Sequence, residues 1–123
     1  LIGKDVHSYL RCLETIWVET LKLYGIPALA RQFSLKESNS EMTLTGVWVG
    51  DKKIASIGVA VRSWITYHGV ALNVDYDPLA FQGIKPCGMS ADTMISMEEI
   101  LGEKVDRKKL MRYLLLQCQK YFF

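Results

Sequence analysis

The sequence predicts an α+β domain: an antiparallel sheet with helices packed on one of its faces. Three observations carry that expectation. A helix-period apolar stripe opens the chain, β-branched segments separated by tight-turn residues fill its middle, and two helix-like stretches with capping residues close it. A length of 123 residues fits a single domain spanning 1–123, because two would leave neither half a useful core.

Each element has its own signal. Val6, Leu10, Leu13, Trp17, Leu21 and Tyr24 recur at steps of three and four, with Tyr9, Cys12, Ile16 and Leu23 beside them, which places a helix over 5–24. Asp5 suits its N-terminus, and Gly25 with Pro27 stops it. Residues 28–33 form a short strand. Residues 34–41 (SLKESNSE) lack periodicity and read as a solvated loop. Three strands follow, over 43–49, 53–62 and 65–75, with tight turns at Gly50-Asp51 and Ser63-Trp64, so the sheet is an antiparallel meander. Residues 78–82 have room for about one helical turn, and 83–90, with Pro86 and Gly88, form a loop. Ser96 caps a short helix through Leu101, with Glu98 and Glu99 in its first turn. Asp106 caps a last helix with apolar positions at Leu110, Leu114, Cys118 and Tyr121, flanked by Met111, Leu115 and Phe122. Nothing in the pattern closes the sheet edges.

Composition removes several classes of function. Half the residues are apolar and 11% are aromatic, which excludes a disordered chain. No run approaches the roughly 18 uncharged apolar residues of a membrane span. A net charge of +2 is too small to indicate a nucleic-acid surface. Three cysteines without a CxxC or Cys/His cluster argue against a disulfide framework or a metal site, and favour a reducing compartment. The opening Leu1-Ile2-Gly3-Lys4-Asp5 is neither a signal peptide nor an initiator methionine, and reads as an internal start.

Alternation along 53–62 puts Lys53 on one side with Ala55, Ile57, Val59 and Val61, and along 65–75 it puts His68 with Val70, Leu72 and Val74. Polar groups on apolar faces need a partner or a purpose. The plain readings are a strand-end lysine reaching water, a hydrogen-bonded sheet histidine, and, for Asn73, a side chain bonding backbone at a strand end. Cys12 and Cys118 sit on helix stripes as small core residues. Cys87 differs: in Ile84-Lys85-Pro86-Cys87-Gly88 the proline and glycine shape a loop that a substrate can approach closely. An ammonium such as that of Lys53 nearby would favour its reactive thiolate; an inert loop cysteine is the plain alternative. The basic cluster Arg107, Lys108, Lys109 and Arg112 is either a solvated face or a dock for an acidic partner.

Four stretches occur in one order and spacing: Thr45-Gly46-Val47-Trp48-Val49-Gly50, Lys52 through Val59, Ile65 through Val74, and Pro86-Cys87-Gly88. Together with the helix beginning Asp5-Val6-His7-Ser8-Tyr9-Leu10, this pattern resembles the lipoyl(octanoyl) transferases. The family's upstream Arg-Gly-Gly strand and His-Gly-Pro-Gly segment are not in this sequence, so the resemblance is to the C-terminal part of the catalytic domain. It implies a fold similar to biotin and lipoate protein ligases with the N-terminal part absent. Residues 34–41 are longer and more polar than the family's loop, and 89–97 follow its Gly-Val-Thr-Ser-Leu pattern loosely, with Ser96-Met97 at the matching place.

The resemblance further implies Cys87 as nucleophile and Lys53 as general acid/base. Substrate-binding positions follow at His68, Gly69, Ala71, Asn73, Ile57, Gly58 and Gly88. It implies no cofactor and no metal. The partners it implies are octanoyl-acyl carrier protein as donor and, as acceptors, the lipoyl domains of 2-oxoacid dehydrogenases and the glycine cleavage H protein; neither nucleic acid nor membrane is among them. The location is then bacterial cytoplasm or, in a eukaryote, mitochondrion or plastid. Two readings compete: an ATP-using lipoate or biotin ligase, and a non-catalytic fragment that binds carrier protein or lipoyl domains.

Overall fold

The computed structural model describes residues 6–37, 40–63, 65–77 and 93–122. The opening stripe forms helix α1 (Val6–Leu23), which buries Leu13, Ile16 and Leu21. The Thr20 hydroxyl, fully buried, donates to the Ile16 carbonyl at 2.7 Å, so its polarity stays satisfied within the helix. Beyond the helix, the Gly25 and Ile26 amides donate to the Lys22 and Leu21 carbonyls, ending it where Gly25 was expected to.

Four antiparallel strands follow in the order β1 (Leu29–Glu37), β2 (Ser40–Val49), β3 (Lys52–Arg62) and β4 (Ile65–Leu72). The predicted meander is present, with two corrections. Residues 34–37 and 40–41 are strand rather than loop: Ser34 pairs with Thr43, Leu35 with Met42, Lys36 with Glu41 and Glu37 with Ser40. A ladder needs paired backbone groups, not apolar side chains, and periodicity sees only the side chains. The last strand also ends early, at Leu72 rather than residue 75. The Asn73 amide still donates to the Ile54 carbonyl, but the Asn73 and Val74 carbonyls turn to accept from Met97 and Glu98.

Helix α2 (Met97–Leu101) starts at Ser96, whose hydroxyl accepts the Glu99 amide at 3.2 Å. Helix α3 (Arg107–Phe122) starts at Asp106, whose carboxylate accepts the Lys108 and Lys109 amides. Both caps are the ones expected. Helix α1 packs on β1, β2 and β3, and α3 packs on α1 through Tyr9 against Phe122 (5.9 Å between ring centres) and Tyr24 edge-on to Tyr113 (5.6 Å). The core joins Leu21, Ile26, Val47, Ile54, Ala55, Met97 and Leu110. No described helix is long and apolar enough to cross a membrane.

Candidate active site

The Gly50-Asp51 turn links β2 to β3, with Gly50 at φ 60°, a left-handed conformation that glycine adopts freely. Just past this turn the register shifts: Val47 pairs with Ala55, but Trp48 pairs with Lys53. Ile54 is the extra residue of a β-bulge. Its side chain and that of Ala55, neighbours along the chain, both enter the helix-side core, and Lys53 is thereby turned to the opposite face. This corrects the alternation reading, which put Lys53 on the side of Ala55 and Ile57. It also removes the strand-end reading, because Lys53 is only 2% exposed.

The backbone of Lys53 is held from both sides. Trp48 pairs with it in β2, and on the other side Met94 forms a parallel bridge while the Ile95 amide donates to the Lys53 carbonyl at 3.0 Å. Asn73 locks this arrangement. Its side-chain amide donates to the Ile95 carbonyl at 3.1 Å, its own amide to Ile54, and its carbonyl accepts from Met97. Asn73 thus bonds backbone at the strand end, as its plain reading had it, and in doing so fastens the segment beside Lys53.

Gly46 pairs with Ser56, Ser56 with Ala71, and Gly58 with Gly69. These residues share the face to which Lys53 is turned, since paired residues present the same side of the sheet. A groove of about 540 Å³ lies here, lined by Ser56, Gly58, Gly69, Val70 and Ala71. A Cβ added to Gly58 or Gly69 would meet nothing within 4 Å, so the groove floor is bare backbone open to a ligand. The structure therefore puts Lys53, Gly58, Gly69 and Ala71 on one face of the sheet, with Gly58, Gly69 and Ala71 lining the groove. Ile57 packs against the core on the other face. His68 pairs with Val59 in the ladder, and its side chain lies outside the described residues, as do Cys87 and Gly88. Ser56 and Gly46 join the site although sequence reasoning did not select them; their signal is cross-strand register, which no single strand carries. Among the described residues no His, Cys, Asp and Glu group could hold a metal.

A second cleft, about 600 Å³, is lined by Tyr76, Glu98, Glu99, Gly102, Glu103 and Lys104. Its Glu98 carboxylate accepts the Tyr76 and Val105 amides, each at 3.0 Å, with the Lys104 ammonium at 3.8 Å. Those two amides hold the Glu98 carboxyl below its ordinary range, and Lys104 adds to the effect. The carboxylate is committed to joining two chain segments, which makes it a brace.

The sheet and its helices have the fold of biotin protein ligase. The apo structure of that enzyme from Aquifex aeolicus matches with a TM-score of 0.64 at 21% identity, over 98% of this chain and 49% of that one. The lipoyl protein ligase A/B catalytic domain family matches residues 2–119, and the chain belongs to that family. Within it, an octanoyltransferase of Bdellovibrio bacteriovorus is 42% identical over 118 residues, 91% of this chain and 54% of the relative. A probable octanoyltransferase of Pyrobaculum aerophilum is 48% identical over 92 residues, and an octanoyltransferase of Clostridium kluyveri 44% identical over 96, covering 75% and 78% of this chain and 37% of each relative. The chain spans about half or less of the length of these relatives.

Proposed function

We propose that the protein is an acyltransferase of protein lipoylation, moving an octanoyl group from acyl carrier protein through a thioester on Cys87 to a lysine of a lipoyl domain. The observation that carries this reading is the buried Lys53, turned by the bulge onto the face of a groove floored by bare backbone. The octanoyltransferase relatives support octanoyl transfer as the class of reaction.

Lys53 takes the Cys87 thiol proton and the thiolate attacks the thioester carbonyl; the new carbon–sulfur bond forms as the carrier's carbon–sulfur bond breaks, and the carrier thiolate leaves and takes that proton from the Lys53 ammonium, so that Lys53 is again a neutral amine. Thiol replaces thiol, so the exchange is nearly isoenergetic and needs no ATP. The acceptor amine then attacks the acyl-enzyme. Lys53 receives the proton the amine sheds, the carbon–sulfur bond to Cys87 breaks, and the thiolate is regenerated. The amide formed is more stable than the thioester, which drives the second step. The groove over Ser56, Gly58, Gly69 and Ala71 receives the acyl chain, and backbone amides at Cys87-Gly88 stabilise the oxyanion. The donor and acceptors place the reaction in bacterial cytoplasm or, in a eukaryote, in mitochondrion or plastid.

Incubation with octanoyl-acyl carrier protein followed by intact mass measurement tests the covalent step. The wild-type protein gains one hydroxylamine-labile octanoyl group and Cys87→Ser gains none; a labile adduct on Cys87→Ser overturns the assignment. Lys53→Ala accumulates the acyl-enzyme and slows transfer to a lipoyl domain by about 10²–10⁴-fold. Wild-type transfer by that variant removes Lys53 from the mechanism, and AMP release with ATP points instead to a ligase.

A further inference from the structure

Gly46 lies in the middle of β2, and its backbone is not among the positive-φ residues. Nothing in the chain's conformation there calls for glycine; the space around it does. A Cβ built on Gly46 would stand 2.5 Å from the Lys53 Cε, 3.4 Å from its Nζ and 2.7 Å from the Ala55 carbonyl oxygen. Contacts under about 3 Å are closer than carbon atoms pack. The lysine chain therefore lies in the volume that any side chain at 46 would occupy. Gly58 and Gly69, on the same face, have open space above them, so the crowding belongs to position 46 alone among these three.

We propose that Gly46 is a positioning residue for Lys53. Its missing side chain is the channel through which the buried lysine crosses over β2, and the channel sets where the ammonium stands relative to the groove. The inference rests on the reading of Lys53 as the group that takes the acceptor's proton. Proton transfer demands placement within hydrogen-bond reach, and displacement by about 1 Å is enough to cost about a hundredfold in rate. The bulge turns Lys53 to the correct face; Gly46 then decides its path across that face.

The test is a double-mutant cycle of Gly46→Ala and Lys53→Ala in the purified protein, read in three ways. The first is stability. Because truncating Lys53 clears its contact but leaves that with Ala55, Gly46→Ala lowers the urea midpoint more in the Lys53 background than in the Lys53→Ala background. Equal losses would mean that Ala55 backbone alone requires the glycine, and the proposal falls. The second is limited acetylation with acetic anhydride, resolved by peptide mass. Gly46→Ala alters Lys53 labelling severalfold while exposed Lys22, Lys104 and Lys120 label as before; unaltered Lys53 labelling overturns the proposal. The third is transfer to a lipoyl domain. Gly46→Ala lowers kcat by about a hundredfold with KM near its wild-type value, and has no further effect once Lys53 is alanine. The same loss in both backgrounds overturns it. Should Lys53→Ala transfer at the wild-type rate, the proton-transfer reading fails by itself, and stability and labelling still judge the positioning.

Discussion

Ile54 has no opposite residue in β2, and its side chain goes to the core together with that of its neighbour Ala55. Two successive residues on one side of a strand break the period of two, and the residue before them changes face. Counting alternation along β3 finds Lys53 as a polar residue in apolar company but assigns it the wrong side, because a bulge is defined by two strands and the count reads one. Glu98 shows the same limit from the other direction. Sequence assigns it to the first turn of α2, where a carboxylate favours the helix dipole, whereas its larger role is to accept amides from Tyr76 and Val105. That role has a pH signature. The folded carboxyl titrates below its ordinary value of 4.5, so the folded state binds fewer protons than the unfolded chain through the acid window. The stability Glu98 confers is complete above the ordinary carboxylate range and drains away as pH falls through the lowered value. Glu98→Gln, whose single amide oxygen cannot replace both acceptors, melts lower than wild type at neutral pH, and the gap narrows as pH drops below 4.5. Melting followed by circular dichroism from pH 7 to pH 3 checks this; a gap of constant size would show that Glu98 acts only through packing.

The helices were fully legible as elements, since stripes, caps and stops each act within a turn or two of chain. The paired stretch at 34–37 and 40–43 was not, because its polar side chains hide a backbone ladder that only partner strands reveal. Nor was the junction where β4 ends. There Asn73 bonds Ile54, Ile95 and Met97 at once, joining segments 19 to 24 residues apart along the chain, beyond any local rule. This junction closes the side of β3 next to Lys53. Asn73→Ala leaves the half-buried Ile95 carbonyl without its donor and costs about 1 kcal/mol. Asn73→Asp costs at least as much, since a carboxylate oxygen facing a carbonyl has no hydrogen to donate. Urea unfolding checks both: the midpoint falls while the slope stays unchanged. Wild-type midpoints would mean that the Met94 bridge and the Lys53–Ile95 bond hold the segment without the side chain.

The molecule as a whole divides its labour between the two faces of the sheet. The helix side carries the packed core, while the other side presents small residues at Gly46, Ser56, Gly58, Gly69 and Ala71. Bare backbone contributes little to burial, so the stretch of sheet under the groove draws its stability from the helix side, whereas beside the bulge Trp48 and Lys53 are buried on the groove face itself. Sequence reading captured the class of fold because the helix-side residues follow their periods. It captured much of the groove only through motif resemblance, because a row of small residues across three strands has no period along any one of them. Helix α3 tests this division. It meets the core through Leu110, which is 4% exposed, while Met111, Leu115 and Leu116 point outward. Leu110→Ala therefore removes the helix's single fully buried anchor and costs about 2–5 kcal/mol, a large part of the roughly 5–15 kcal/mol that holds a domain of this size. Thermal unfolding reads it as a fall of about 10 °C or more. Leu115→Ala, outward and half exposed, leaves the melting point within about 2 °C of wild type. If both variants melted alike, the aromatic contacts of α3 with α1 would be its true attachment, and the core would end at α1.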